Sequence, residues 1–238
     1  MDSTDNDRMF STIAARYDFL NHLLSLNIDQ RWRREMVRWA GVKPGEKILD
    51  VCTGTGDIAI RFAQSDDCPS GQTDGLGKVV GIDLSDQMLY LAHKKIKKTG
   101  FDRKIKLLKA DALNLPFMDN SFDVACIGFG LRNLSDRRRG ISEMVRILKD
   151  NGRLLILEFS PPQNNLFGVC YNLCLNTIIP AVGGIVSGST SAYRYLSISI
   201  ANFLKPKEII KLLEEEKFKN LHFKPLTGGI AYLYRGEK

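Results

Sequence analysis

Short apolar runs alternate with stretches of helical periodicity along most of the chain. The runs Ile48–Val51, Lys78–Asp83 and Ile105–Ala110 have the length and branching of buried strands, and further strands are predicted at Val124–Phe129 and Arg153–Phe159. The intervening segments place apolar residues at helical spacing. This alternation of strands and helices is typical of an α/β protein with a parallel sheet.

Helices are also predicted outside this alternation. Apolar residues recur at helical spacing across Met9–Trp39, which predicts one or two N-terminal helices. After a helix at Arg137–Leu148, the chain continues to a predicted helix at Pro206–Glu216 and two strands, Asn220–Lys224 and Ile230–Tyr234. We expect these two strands to close the sheet as an antiparallel hairpin.

The turn after the first strand is the first candidate binding element. Gly54 and Gly56 allow backbone N–H groups to come close to a ligand at the carboxyl end of a parallel strand. A dinucleotide site would need a third glycine, and Asp57 at the helix entrance would repel a phosphate. With Asp50 before the turn, this acid favours a cationic ligand with free hydroxyls, such as S-adenosylmethionine.

Three successive predicted strands end in or beside an acid: Asp50, Asp83 and Asp111. A carboxylate at Asp83 can accept hydrogen bonds from two vicinal ribose hydroxyls. The alternative is that Asp83 belongs to a helix N-cap, but Ser85 is suited to that task, so both interpretations can hold. Asp111 can accept from the adenine exocyclic amine, and the small Ala112 would admit the ring.

Composition and charge narrow the class of protein. The 238 residues are 44% apolar and 26% charged, which predicts one globular domain with an insertion. We expect no signal peptide, because residues 1–7 are acidic and polar, and no apolar run reaches the about 18 residues of a membrane span. Five cysteines without metal-ligand spacing predict a reducing cytoplasm and no structural zinc. The net charge of +7 has three possible explanations: a solvated lysine surface, binding to a nucleic acid, or binding to an anionic lipid surface.

Several motifs together resemble a known enzyme family. L-D-V-C-T-G-T-G-D, G-I-D-L-S, A-D-A-L-N-L-P-F and D-N-S-F-D follow one another as in class I S-adenosylmethionine-dependent methyltransferases. Y-D-F-L-N-H-L-L-S with Trp32, G-F-G-L-R-N and T-G-G-I-A resemble, more specifically, the ubiquinone/menaquinone biosynthesis C-methyltransferases. The resemblance implies a Rossmann-like α/β fold: a mostly parallel seven-stranded sheet with helices on both faces, N-terminal helices and an apolar helical cap insertion.

The resemblance also implies one domain over residues 1–238. It divides into an N-terminal helical segment (9–40), a cofactor-binding core (41–160), an apolar substrate cap (161–204) and a closing helix and hairpin (205–238). The cap sequence has two interpretations: a hydrophobic helix pair in the core, or a lid over a lipid tail that also touches a bilayer. The resemblance favours the lid.

The implied reaction is C-methylation of a demethylated polyprenyl hydroquinone by S-adenosylmethionine, with S-adenosylhomocysteine as product and no metal. The specific reaction is the conversion of demethylmenaquinol to menaquinol, the 2-polyprenyl-6-methoxy-benzoquinol step of ubiquinone synthesis, or both. The expected cofactor-binding residues are Asp50, Gly54, Thr55, Gly56, Asp83, Asp111 and Ala112.

Arg132 and Asn133 are the expected catalytic residues, because they follow the fourth strand at the carboxyl edge of the sheet. An arginine there can stabilise a phenolate electrostatically, and Asn133 can orient the other hydroxyl. The alternative is that Arg132 pairs with an acid such as Asp18 or Asp136 for structure. The expected substrate-binding residues are Tyr17, Asn21, His22, Tyr193 and Tyr195.

The expected partner is a polyprenyl quinol, with no nucleic acid. We expect a cytoplasmic protein. Three further possibilities stay open: peripheral contact with the inner face of a membrane, a homodimer, and membership of a quinone-biosynthesis complex. A methyltransferase for another small phenol or a sterol is the main alternative. An RNA methyltransferase is suggested by the pI of about 9.1, but the lysines are scattered rather than clustered. The third alternative is a nonenzymatic nucleotide-binding module.

Overall fold

The computed structural model describes residues 28–65, 78–161 and 197–238, which contain a seven-stranded sheet. The strands are β1 (Ile48–Val51), β2 (Val79–Asp83), β3 (Ile105–Lys109), β4 (Phe122–Gly128), β5 (Leu148–Phe159), β6 (Lys219–Leu226) and β7 (Ala231–Glu237). They lie in the order β3-β2-β1-β4-β5-β7-β6. Strands β1 to β5 run parallel, and β7 is antiparallel to both of its neighbours. The predicted mostly parallel sheet with a closing hairpin is confirmed.

The described helices with both ends in these ranges are α1 (Ile28–Ala40), α2 (Asp57–Gln64), α3 (Asp86–Thr99), α4 (Arg137–Ile147) and α5 (Pro206–Glu215), and residues 197–201 are helical as well. Short 3-10 turns lie at Leu131–Asn133 and Thr227–Gly229. Helix α3 begins as predicted, because the Ser85 hydroxyl accepts a hydrogen bond from the Met88 N–H. The Asp136 carboxylate caps α4 in the same way.

The helices cover both faces of the sheet. Successive residues of a strand point to opposite sides, so apolar residues on both faces need helices to pack against. Ile48 of β1 packs into a core that α1, α2 and α3 share, with Phe62 fully buried there. Leu49 and Val51 face the other core, to which α4 contributes Met144. A parallel sheet buried on both faces explains why β1 is a continuous apolar run apart from Asp50.

One strand starts earlier than the sequence predicts. β5 begins directly after α4 at Leu148, which pairs with Phe122, and the ladder then shifts before Val124 pairs with Arg153. Asn151 lies between these pairs with a φ of +61°, so the polar D-N-G stretch looks like a break although both sides belong to one strand.

Much of the predicted periphery lies outside the described residues. This holds for residues 9–27 of the N-terminal segment, for the loop 66–77 and for 162–196 of the predicted cap. Tyr17, Asn21, His22, Tyr193 and Tyr195 fall in these ranges. The division of the chain into cap, core and closing segments therefore stays a prediction.

Candidate functional site

An open cleft lies at the carboxyl ends of β1 to β4, with a volume of about 900 Å³ that includes the solvent at its mouth. This is the edge at which open parallel sheets bind ligands. Most of its lining is apolar. The lining residues are Cys52 and Gly54 after β1, 82–85 and Met88 around the start of α3, 110–113 after β3, and 128–130 with 133–135 after β4.

The structure brings five of the residues expected from sequence into this cleft: Gly54, Asp83, Asp111, Ala112 and Asn133. The other four described candidates do not line it: Asp50, Thr55, Gly56 and Arg132. These four are all buried, so their contributions differ from those of the residues that face the cleft.

The turn after β1 owes its shape to left-handed backbone angles. Cys52 has a φ of +55°, Gly54 of +56° and Gly56 of +83°. Gly56 also allows close packing, since a Cβ there would meet Ala92 of α3 at 3.4 Å. This tight path brings the Gly54 N–H within 2.8 Å of the Asp83 carboxylate.

Asp83 is held in place by backbone donors. Its Oδ2 accepts from the Gly54 N–H at 2.8 Å, and its Oδ1 accepts from the Ser85 N–H at 3.0 Å. An ionised carboxylate has about four lone-pair sites, so both oxygens can also accept from ligand hydroxyls in the cleft. This arrangement fits the ribose-binding role expected from the sequence.

Asp50 lies beneath the turn instead of in the cleft, and it is fully buried. Its Oδ2 accepts from the Thr53 hydroxyl at 2.6 Å and from the Ala59 N–H at 3.1 Å, and the Cys126 thiol lies 3.5 Å from Oδ1. Loss of hydration raises the pKa of the Asp50 carboxyl to about 6. Asp50 therefore connects β1, the turn and α2 from below.

Asp57, which the sequence suggested as a partner of a cationic ligand, has cationic neighbours from the protein itself. Lys95 of α3 lies 2.5 Å from its Oδ1, and Arg33 of α1 lies 3.6 Å from its Oδ2. Lys95 also donates to the Thr55 hydroxyl at 3.2 Å, and Arg33 pairs with the buried Asp29 at 3.3 Å. These contacts tie α1, α2 and α3 together behind the turn.

The turn after β3 combines one exposed acid with apolar neighbours. Asp111 is exposed and its Oδ1 accepts from the Leu113 N–H at 2.9 Å, while Ala112 is buried. Leu84 and Met88 complete this side of the cleft. Sequence reasoning missed these two apolar residues, although for Leu84 its position directly after a strand that ends in an acid is a usable signal.

Gly128, at the end of β4, is fixed by packing. A Cβ at this position would overlap Cδ1 of Ile58, which reaches up from α2. The chain then turns through Phe129, whose φ is +59°, and enters the 3-10 turn Leu131–Asn133. The Asn133 amide donates to the Phe129 carbonyl at 3.4 Å, so both residues are presented to the cleft by one short segment.

The guanidinium of Arg132 is buried beside this segment. Its Nη1 donates to the Phe129 carbonyl at 2.6 Å and to Oε1 of Glu158 at 2.8 Å, and its backbone N–H donates to Oε2 of Glu158 at 3.2 Å. Glu158 is fully buried near the end of β5. The structural partner of Arg132 is therefore Glu158. Of the acids expected from sequence, Asp136 caps α4 and Asp18 lies outside the described residues.

An aromatic cluster of Trp32, Phe129 and Phe159 lies behind the turn after β4. The ring centroids of Phe129 and Phe159 are 4.7 Å apart, and Trp32 lies 6.2 Å from the first and 6.0 Å from the second. The Trp32 indole N–H donates to the Thr227 hydroxyl at 2.9 Å. Phe129 is the member of the cluster that lines the cleft.

Two features are absent from residues 28–65, 78–161 and 197–238. None of the helices in these ranges has the length and apolarity required to cross a bilayer. In the same ranges, no three His, Cys, Asp or Glu side chains are grouped so that they could hold a metal ion.

Comparison with known proteins extends over the whole chain. A ubiquinone/menaquinone biosynthesis C-methyltransferase UbiE of Geotalea uraniireducens is 44% identical over 230 residues, which cover 97% of this chain and 94% of the relative. A demethylmenaquinone methyltransferase of Thermotoga maritima is 42% identical over 231 residues, with the same coverage.

Solved structures of low sequence identity share the fold. An S-adenosylmethionine-dependent methyltransferase of Thermotoga maritima, described as a possible histamine N-methyltransferase, superposes with a TM-score of 0.63 at 20% identity, covering 97% of this chain and 99% of that one. A second such methyltransferase, from Aquifex aeolicus, gives a TM-score of 0.59 at 18% identity over 86% of this chain and 88% of its own. Residues 1–238 match the ubiE/COQ5 methyltransferase family, and the chain belongs to that family.

Proposed function

We propose that this protein transfers a methyl group from S-adenosylmethionine to a ring carbon of a demethylated polyprenyl quinol. The observation that carries the proposal is the match of residues 1–238 with a methyltransferase family, together with relatives named for quinone C-methylation at 40–44% identity. The geometry of the cleft supports both halves of the reaction, and each half has its own set of residues.

The donor half of the cleft fits S-adenosylmethionine. Asp83 would hold the ribose hydroxyls, and Asp111 would accept from the adenine amine beside Ala112 and Leu113. The N–H groups of the turn around Gly54 would lie near the methionine end. When bound, S-adenosylmethionine supplies an electrophilic methyl group on a sulfonium. Asp50, Thr55 and Gly56 would support this site from within by shaping the turn.

The acceptor half has to favour an electron-rich ring. A ring carbon of a hydroquinone becomes a good nucleophile when a neighbouring hydroxyl loses its proton, yet an ordinary phenol has a pKa near 10. The Asn133 side chain lies in the cleft and can orient a ring hydroxyl. Arg132 stays a candidate for favouring the phenolate. Because its guanidinium is ion-paired with Glu158, its main contribution would be to fix the turn that carries Asn133.

Exclusion of water would contribute further. The apolar lining at Phe129 and Leu134 would keep the acceptor ring away from bulk water, and charges interact more strongly where water is excluded. Tyr17, Asn21, His22, Tyr193 and Tyr195 stay candidates for contacts with the acceptor, and residues 161–204 stay the candidate cover for its apolar tail.

The proposal is tested by incubating the purified protein with isotopically labelled S-adenosylmethionine and chemically reduced demethylmenaquinone. We expect a labelled methyl group on the quinone ring, and none when the oxidised quinone is supplied, since only the hydroquinone can form the phenolate. A parallel assay with the demethylated benzoquinol, a short-chain phenol, a sterol and RNA separates the alternatives. A protein that binds the donor but labels none of the quinols would refute the proposal.

The partner predictions form a second part of the proposal. A polyprenyl tail is apolar and partitions into membranes, so we propose that the protein is cytoplasmic and makes peripheral contact with a lipid surface during substrate uptake. Co-sedimentation with vesicles that contain the quinol tests this contact, and sedimentation of the protein alone tests whether it forms a homodimer. A protein that neither binds such vesicles nor extracts the quinol from them would contradict the first part.

A further inference from the structure

The 3-10 turn between β6 and β7 has an unusual backbone. Thr227, Gly228 and Gly229 have φ values of +45°, +67° and +94°. Glycine adopts such angles freely, but a β-branched residue at positive φ is a real outlier that persists only when its surroundings hold it. Thr227 therefore needs an interaction that stabilises it in this conformation.

The hydroxyl of Thr227 provides that interaction. It accepts a hydrogen bond of 2.9 Å from the Trp32 indole N–H, and Trp32 is only 5% exposed. A buried indole N–H needs an acceptor, because water cannot replace one there. The same turn is anchored to the end of β5, since the Ser160 N–H donates to the Ile230 carbonyl at 3.0 Å.

Trp32 transmits this constraint to the cleft. Its ring packs against Phe129 and, edge to face, against Phe159. Phe129 is itself a non-glycine residue at positive φ, and it is the residue of this cluster that lines the cleft. Two strained residues, Thr227 and Phe129, are thus joined through one indole ring.

The contact chain from Thr227 through Trp32 to Phe129 lies on the side of the sheet that we propose for the acceptor. Asp83 and Asp111 follow β2 and β3, on one side of β1, whereas Phe129 follows β4 and Thr227 precedes β7 on the other side. A change at Thr227 should therefore reach the acceptor side of the cleft and leave the donor side unchanged.

We propose that Thr227 is a positioning residue for the acceptor: its hydroxyl fixes Trp32, and Trp32 holds Phe129 as the wall against which the acceptor ring lies. This inference rests on the proposed function. It gives the T-G-G turn of the closing hairpin a role in acceptor binding.

The first experiment compares Thr227→Val with Thr227→Ser. The valine keeps the branched shape without the hydroxyl, and the serine keeps the hydroxyl. We expect Thr227→Val to lower kcat/KM for the reduced quinol about fivefold, the factor expected for one lost buried hydrogen bond, and Thr227→Ser to recover most of it. The calorimetric Kd for S-adenosylhomocysteine should stay within twofold in both.

The matched control is Thr99→Val. The Thr99 hydroxyl also makes one hydrogen bond, at 2.9 Å to the Ile96 carbonyl at the end of α3, away from the cleft lining. This variant loses the same chemical group and should keep the wild-type kcat/KM for the quinol. An equal loss in Thr99→Val and Thr227→Val would overturn the inference.

A second measurement does not depend on turnover. The chain has two tryptophans, so a Trp39→Phe background leaves Trp32 as the sole indole emitter. Titration with oxidised demethylmenaquinone should quench this emission with saturation, and Thr227→Val should raise the resulting Kd about fivefold. Trp32→Phe, tested by kcat/KM in the otherwise unaltered protein, should make the Thr227→Val change silent, since both remove the same hydrogen bond.

The outcomes separate the two proposals. If the wild-type protein methylates no quinol and shows no saturable quenching, the proposed function fails. If the wild-type protein is active but Thr227→Val matches it in kcat/KM and in quinone affinity, only the positioning role fails. A Thr227→Val protein whose donor affinity falls as far as its acceptor affinity also overturns the positioning role.

Discussion

The two halves of the cleft that we propose for the methyl donor and for the acceptor are built by different means. In the donor half, after β1 to β3, backbone N–H groups of Gly54 and Ser85 hold the key carboxylate of Asp83. In the acceptor half, after β4, side chains do the corresponding work: Glu158 with Arg132 fixes the turn. The donor half is therefore the less sensitive to substitution of neighbouring side chains, because their backbone donors remain.

The two halves also differ in how far apart in sequence their contacting residues lie. Gly54 and Asp83 are 29 residues apart in adjacent strand ends, whereas Trp32 and Thr227 are 195 residues apart. The donor half needs two neighbouring βα units, and the acceptor half needs helix α1, the end of β5 and the hairpin as well. Each prediction below tests one side of this comparison.

Glu158→Gln should have the largest effect. It removes the charge opposite the buried Arg132, and breaking a buried ion pair costs about 3–5 kcal/mol. We expect urea unfolding to show a loss of this size, with most of the quinol turnover lost too. Glu35→Gln, which alters a partly exposed pair with Lys224, is the control and should cost no more than about 1 kcal/mol. Equal costs for the two variants would contradict the assignment.

Asp50→Asn should change how stability depends on pH. The pKa of Asp50 is raised to about 6 by burial, so between pH 4 and 6 the folded protein holds a proton that the unfolded chain has released. The wild type therefore loses stability relative to Asp50→Asn as pH rises through this window. At 1.36 kcal/mol per pKa unit the total is about 3 kcal/mol, and it becomes constant about one pH unit above the folded pKa.

The measurement for Asp50 is the free energy of unfolding in urea at a series of pH values. Asp102→Asn, at an exposed position, serves as the control and should track the wild type. A constant difference between wild type and Asp50→Asn from pH 4 to pH 7 would show that the buried carboxyl does not titrate in this window.

Asp83→Ala should raise the Kd for S-adenosylmethionine at least tenfold, about 1.4 kcal/mol, because charge-assisted hydrogen bonds to the ribose are lost. Calorimetry measures this directly. Asp86→Ala removes a mostly exposed acid three residues later and should leave the affinity unchanged. Full affinity in Asp83→Ala would remove Asp83 from the proposed site.

Ser85→Ala should have the smallest effect. Loss of the helix cap should lower the free energy of unfolding by about 1 kcal/mol, as should Asp136→Ala at the start of α4. Donor affinity should stay within twofold, because the backbone N–H of residue 85 still donates to Asp83. A large loss of donor affinity would mean that the serine side chain itself contacts the ligand.

The same contrast explains what the sequence could predict. The order of the strands and the placement of Asp83 and Asp111 follow from local patterns, because a residue after a parallel strand reaches the carboxyl edge. Asp50 and Asp83 look alike in sequence, and only the folded turn, with Thr53 and Ala59 above the first of them, decides which one is covered.

The pairing of Arg132 with Glu158 was not predicted, although a signal existed. Glu158 interrupts the apolar run L-L-I-L-E-F, and a charge inside a buried strand needs a partner of opposite charge. Which arginine takes that place depends on how the turn after β4 folds back onto β5. The contact of Trp32 with Thr227 has no local signal, since the spacing of two such distant residues carries no structural period.

The hydrogen bond between Trp32 and Thr227 has a consequence for assembly during synthesis. The ribosome releases the strands that carry Asp83 and Asp111 long before it releases β7, which then has to enter the sheet between β5 and β6. A nascent chain can thus form its donor pocket early, while the wall behind Phe129 is completed only after the hairpin has emerged. The proposed acceptor wall therefore predicts that methyl transfer to a quinol requires the last strands to be translated.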